Sequence, residues 1–296
     1  MPAEGHADAS AQIARAQSDA LGEGTSWSTS DQELVWVDIT AGLVHRWNPA
    51  RGDHRRVSIG REISAAVPCR GGETLIAAGH DLLMLDDEEL GDVLAQVELD
   101  HHENRFNDCR CDPQGRLWAG TMSRTRKAGA AALYRLEAGG EIELMIDKTT
   151  ISNGLGWSPD GERMYFIDST TQRVDVLDFD GRDGSISNRR ALLAIEPSMG
   201  LPDGLAIDAE GGLWVALFGG SAIHRYSPEG ELTEVVPLPV TNPTCPGFGG
   251  RELTTLYVTS ARHTLSSKQL ALEPHAGALL ALETGVRGLA PTPFAN

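Results

Sequence analysis

A chain that writes one unit six times must build a ring or a rod of that unit, and this sequence does so. The unit is a polar turn, an apolar strand ending in a small or acidic residue, then a second apolar strand. Its copies are Glu33-LVWVDITAGLVHRW, Glu73-TLIAAGHDLLML, Arg116-LWAGTM with Ala132-LYRLE, Arg163-MYFIDSTTQRVDVLDF, Gly212-LWVALFGGSAIHRYS, and Thr255-LYVTSAR with Ala278-LLALE. Aligned by their large apolar residues, they place Trp36, Ile76, Trp118, Tyr165, Trp214 and Tyr257 at equivalent positions, 40, 42, 47, 49 and 43 residues apart. That period suits four-stranded propeller blades. Helical solenoids share the period but need 3.6-residue apolar spacing, whereas these runs are short, rich in β-branched and aromatic residues, and bounded by Gly, Asp and Pro. The expected fold is all-β: a six-bladed β-propeller of four-stranded antiparallel blades. Residues 18–296 form its single domain. Residues 1–17 are an N-terminal extension, and the stretch around Gln12 to Ser18 is the candidate for a strand that closes blade six.

The net charge is −17 and no Lys/Arg-rich run occurs, so nucleic acid and anionic membrane surfaces are poor partners. No apolar run approaches a membrane span, and Met1 to Ala20 lack the apolar centre of a secretory signal. A cytoplasmic protein with reduced thiols is the expectation for its four cysteines.

Upstream of the turn, four copies align without a gap: Glu23-GTSWSTSD, Asn107-DCRCDPQG, Asn153-GLGWSPDG and Asp203-GLAIDAEG. The first residue of each is polar, and mostly apolar residues then alternate as in a half-buried strand. In a propeller this leading strand lines the channel, and equivalent positions lie at one height around the axis. Glu23, Asn107, Asn153 and Asp203 therefore converge. Two carboxylates and two amides in a confined space call for a counter-charge, and an all-oxygen donor set suits a hard divalent ion such as Ca²⁺, Mg²⁺ or Mn²⁺, with Zn²⁺ less well matched. Arg105, two residues before Asn107, shares its strand face. The equivalent positions in blades two and six fall near Ile63 and near Thr241 or Asn242, which supply wall rather than charge. Singly, each residue reads as ordinary, since Asn-Gly and Asp-Gly are common turn dipeptides. Common register is what sets them apart.

Cys109 and Cys111 form a Cys-x-Cys pair, but both fall on core positions of the other copies and read as structural thiols. No histidine spacing fits a zinc site. His101 is the histidine placed to touch a ligand. Gly-x-Ser-x-Gly elbows and phosphate-binding glycine loops are missing, which argues against serine hydrolases and nucleotide enzymes.

Gly22-EGTSW, Arg105-FNDCRCDPQGRLWAGTM, Ile151-SNGLGWSPDG, Leu201-PDGLAIDAEGGLWVA and Gly249-GRELTTLYVTSAR together resemble the gluconolactonase/regucalcin family from about Gly22 to about Pro293. The resemblance implies a six-bladed propeller with one divalent metal held by Glu23, Asn153 and Asp203, and with Arg105 and Asn107 on the hydroxyls of a sugar lactone. Two departures stand out. Gly24-Thr25-Ser26-Trp27 lacks the proline common at the first motif, and Ser123-Arg124-Thr125 stands where some members carry a substrate-contacting glutamate.

Lactone hydrolysis passes through an oxyanion, which a metal on the carbonyl oxygen stabilises as Lewis acid while acidifying a bound water. Asp203, or the bound water in its hydroxide form, is the candidate base. Three rivals remain at this stage: an arylesterase or phosphotriesterase with the same metal, a non-catalytic calcium-binding regulatory propeller, and a peptide-binding propeller. The last fits poorly with aromatic residues at 5% of the chain.

Overall fold

The computed structural model describes residues 11–296; residues 1–10, the first part of the expected extension, lie outside the described residues. Six four-stranded antiparallel sheets make up nearly all of the structure, with one short α-helix at Ser267–Leu272. The innermost strands of blades one to six are Gly22–Ser28, Ala65–Pro68, Asn104–Cys111, Ser152–Trp157, Leu201–Ile207 and Pro243–Gly249. Each packs on its successor and the last packs on the first, so the blades close around a central channel as a six-bladed propeller. Gln12–Arg15 is the outermost strand of blade six and pairs antiparallel with Leu279–Glu283. One sheet thus joins both ends of the ring. Among the described residues no helix is long and apolar enough to cross a membrane.

The core consists of six apolar clusters, and each bridges two neighbouring blades. Trp118 of blade three packs on Leu155 and Trp157 of blade four, and Trp214 of blade five on Phe248 of blade six. A blade alone would leave these faces in water, at a cost of about 1.5–3 kcal/mol for each large side chain. The turns written Asp112-PQG and Asp208-AEG fix the indoles. Asp112 Oδ1 accepts the Gln114 and Arg116 N–H groups, and Oδ2 accepts Trp118 Nε1–H at 3.2 Å; Asp208 does the same for Glu210, Gly212 and Trp214.

Two of the six aligned apolar positions are displaced by one residue. Trp118, Tyr165, Trp214 and Tyr257 face the following blade, but Trp36 packs against Tyr257 and Leu279 of blade six and Ile76 against Val35 and Val37 of blade one, which are the preceding blades. The true equivalents are Val35 and Leu75, paired with Ser26 and Val67 as Trp118 is paired with Arg110. These strands are buried on both faces, so apolarity alone does not reveal which face a residue takes, and a slip of one residue inverts the strand.

Five of the six innermost strands carry a break in register just where the polar residue stands, between Glu23 and Ser26, Phe106 and Cys109, Asn153 and Leu155, Pro202 and Leu205, and Pro243 and Pro246. The Asn153-Gly154 and Asp203-Gly204 pairs are therefore bulges inside strands and not chain-reversing turns. Their glycines allow close approach of neighbouring blades: a Cβ on Gly204 would stand 2.7 Å from the Cys245 Cα, and one on Gly154 2.9 Å from the Asp203 carbonyl oxygen. Bulging turns the preceding side chain toward the channel.

Cys109 and Cys111 are buried, unbridged and part of the cluster between blades two and three; burial, followed by neighbouring charge, pushes both thiols well above their usual range. Changing Cys109 to Ser places a hydroxyl in that apolar cluster. Urea unfolding should show a loss of about 1–3 kcal/mol, with divalent-metal binding unchanged in the folded protein.

Candidate metal centre at one end of the channel

Register through the bulges identifies the equivalent residue in every blade: Glu23, Ser64, Asn107, Asn153, Asp203 and Thr244. All six bear a side-chain oxygen, and all are at most 9% exposed. The positions expected in blades two and six, Ile63 and Thr241 or Asn242, are corrected by this register to Ser64 and Thr244. Blade two has no Gly after its polar residue to mark the place, and blade six has Cys245.

A chain of hydrogen bonds links three of the ring residues, Ser64, Asn107 and Asn153, through Arg105. Arg105 Nη1 donates to Asn107 Oδ1 at 2.8 Å, to the Phe106 carbonyl at 2.7 Å and to Ser64 Oγ at 3.2 Å. Asn107 Nδ2 donates to Asn153 Oδ1 at 2.8 Å and to the Ser152 carbonyl at 2.9 Å. Asn153 Nδ2 donates to Ser169 Oγ at 2.8 Å, and that hydroxyl donates in turn to the Pro202 carbonyl at 2.6 Å. Since the Ser169 proton is committed, its oxygen can only accept. This fixes the Asn153 amide with its carbonyl oxygen toward the ring, the orientation a cation requires.

The carboxylates are under-compensated. Glu23 Oε2 accepts only the Gly24 N–H, at 3.2 Å, and Asp203 accepts no hydrogen bond among the described residues. Asp108, which follows Asn107 where other blades have Gly24, Ala65, Gly154, Gly204 and Cys245, is buried with neither oxygen partnered. Burial, then the charge of Asp108, pushes the Glu23 carboxyl up to about 8. Burial, then the charges of Glu23 and Asp108, holds the Asp203 carboxyl well above its usual range, with Arg105 opposing. Arg105, brought down to about 10 chiefly by burial, is the only basic side chain among the causes that lower either carboxyl. One guanidinium facing the two ring carboxyls, with Asp108 answered only by the charge of Arg110, leaves negative charge to be met.

Such a set fits a hard divalent cation: two carboxylates and an oxygen-out amide offer oxygen donors only. Among the described residues no group of three or more His, Cys, Asp or Glu side chains is arranged to hold a metal; Glu23 and Asp203 would need the Asn153 amide as a third donor.

Of the sequence candidates, Arg105, Asn107 and Asn153 are joined by direct hydrogen bonds, and Glu23 and Asp203 lie close enough for one charge to raise the other carboxyl. His101 instead lies exposed in the turn before the blade-three strand. His263 is the histidine that feels the Arg105 charge. Glu62 is a neighbour of the site that no repeat or motif marks. It ion-pairs with Arg124 and lies 3.8 Å from Arg105 Nε, so it brings a carboxylate to the neighbourhood where the Ser123-Arg124-Thr125 departure removes one.

A closed six-bladed propeller with an acidic, oxygen-lined ring at one end of its channel defines a recognisable class of protein. The SMP-30/Gluconolactonase/LRE-like family model matches residues 21–262, and the chain belongs to that family. It is similar to regucalcin of Sus scrofa, 38% identical over 283 residues that span 93% of this chain and 95% of that one. The protein named "Putative sugar lactone lactonase YvrE" of Bacillus subtilis is 36% identical over 279 residues, with the same shares covered. Among solved structures, the luciferin-regenerating enzyme superposes with a TM-score of 0.91 at 31% identity, covering 97% of this chain and all of that one. The calcium-binding protein regucalcin of Agrobacterium tumefaciens gives 0.90 at 28% identity, covering 98% and 97%.

Proposed function

We propose that the protein hydrolyses a sugar lactone to its aldonic acid, with one divalent cation held by Glu23, Asn153 and Asp203. The observation that carries this reading is the ring itself, in which two buried carboxyl groups, Glu23 and Asp203, share the single guanidinium of Arg105. The cation, when bound, supplies Lewis-acid polarisation of the lactone carbonyl. Asp203 accepts the proton of the attacking water, a role that typically contributes 10²–10⁴ in rate. Arg105 Nη1 is saturated by protein acceptors while Nη2 donates to none among the described residues, so Nη2 is free for a sugar hydroxyl. Asn107 is locked by its own hydrogen bonds beside it. An uncharged lactone enters a protein of net charge −17 unopposed, and the acid formed is repelled from it.

The test is acid release from a panel of aldonolactones by protein stripped with a chelator and reloaded in turn with Ca²⁺, Mg²⁺, Mn²⁺ and Zn²⁺. Turnover that vanishes on stripping and returns with an ion supports the reading. A metal-restored preference for aryl esters or phosphotriesters, or stoichiometric metal binding without turnover, would replace it with the hydrolase or calcium-binding alternatives. On one good lactone, Arg105→Ala should raise KM by roughly 10- to 100-fold, the worth of a lost charged hydrogen bond, with a smaller fall in kcat.

A further inference from the structure

Past the ring, at the opposite end of the channel, lies a cavity of about 260 Å³, close to the lower limit of small-molecule sites, ~300 Å³. Its walls include Ser26, Arg110, Trp157, Ile207 and Phe248, all three or four residues beyond the ring residue of their blade and therefore at the other end of the innermost strands. The C-terminal segment roofs it. That segment bonds to blade five through Leu289 N–H to the Ile207 carbonyl at 3.2 Å, then to blade two through Phe294 N–H to the Pro68 carbonyl at 2.9 Å, and residues 289–292 between these points line the cavity.

Arg110 is the one charged residue in this lining. The equivalent residues of the other blades are Ser26, Val67, Gly156, Ala206 and Gly247. Its only hydrogen-bonding contact among the described residues is a weak one, Nη2 to the Cys245 sulfur at 3.9 Å, and its Nε is buried with no partner. No carboxylate among the described residues makes an ion pair with it, and the carboxyl that feels its charge, Asp108, lies two residues back on the same strand. Trp157, also in the wall, is 95% buried with an unpartnered indole Nε1. Arg110 as a whole is half-buried, but a buried donor atom is costly unless an acceptor meets it. A planar oxyanion satisfies a guanidinium with two parallel hydrogen bonds, and Leu155, Ile207 and Phe248 give the wall an apolar share suited to a compact body, beside the hydroxyls of Thr25, Ser26, Ser158 and Thr292.

We propose that this cavity is a second ligand site, for a small organic monocarboxylate with a compact apolar or aromatic body, whose carboxylate pairs with Arg110 while its body packs on Trp157, Ile207 and Phe248. Its lining reaches Gly24 and Thr25, next to Glu23, but includes no ring residue, and the proposal does not depend on the lactonase reading. Isothermal titration of the full chain with benzoate should show one saturable site, in metal-stripped and metal-loaded protein alike. Benzyl alcohol should bind at least roughly ten-fold more weakly, the difference made by a charged hydrogen-bonded pair. Arg110→Gln should weaken benzoate by a similar factor while lactone turnover persists. Ala290→Trp, an exposed change on the roofing segment, should obstruct the site without altering Tm, which keeps the test valid if Arg110→Gln fails to fold. Absence of saturable heat at millimolar benzoate, equal affinity in the Arg110 and Ala290 variants, or displacement of benzoate by an aldonate would each overturn the proposal.

Discussion

Asp203→Asn should lower kcat on any lactone substrate by at least 10²–10⁴-fold, the range expected when a positioned proton acceptor is lost. The change is nearly isosteric, so the bulge at Asp203-Gly204 and its packing against Cys245 are kept. What disappears is a negative charge facing the cation and the group that takes the proton of the attacking water. Metal content must be measured on the same sample, because a ligand change can empty the site. With metal bound and kcat near normal, Asp203 would be a spectator.

The second large effect is a pH-dependent stabilisation by the cation. Burial holds both ring carboxyls above their ordinary values, Glu23 at about 8 and Asp203 well above its usual range. A raised carboxyl pKa means that the native state holds its proton more tightly than the unfolded chain does. The stability contributed is complete below the unfolded pKa and is lost as pH climbs through the folded value. For Glu23 that window runs from about 4.5 to about 8, and at about 1.4 kcal/mol per pH unit it amounts to several kcal/mol. A divalent ion replaces the missing protons. Stripped protein should therefore lose thermal stability between pH 5 and pH 8, and added metal should raise Tm little at pH 5 but on the order of 10 °C at pH 8. Equal metal-induced shifts at both pH values would show that these carboxyls do not face the ion.

Much of this was legible in the sequence because a propeller repeats both its strands and its bulges. Glu23, Asn107, Asn153 and Asp203 announce themselves as a polar residue at one register, and three of the four are followed by Gly, which the close approach of neighbouring blades demands at Gly154 and Gly204 and a φ of 65° favours at Gly24. Ser64 and Thr244 lack that marker and were placed one to three residues away. Trp36 and Ile76 misled because a strand buried on both faces carries large apolar residues on either side. Ser169 could not be found at all: it orients Asn153 from the end of a neighbouring strand, a contact that only the fold creates. Arg110 shows the converse limit. Its type is plain in the sequence, but the want of an ion partner is a property of the closed ring and of the C-terminal segment that roofs the channel.

The most direct test of the central claim is an anomalous-difference map from crystals of the Mn²⁺-loaded protein. The account predicts one strong peak on the ring, with oxygens of Glu23, Asn153 and Asp203 each within about 2.0–2.6 Å of it. A well-ordered ring without a peak, or an ion bound elsewhere while Glu23 and Asp203 stand apart, would contradict it.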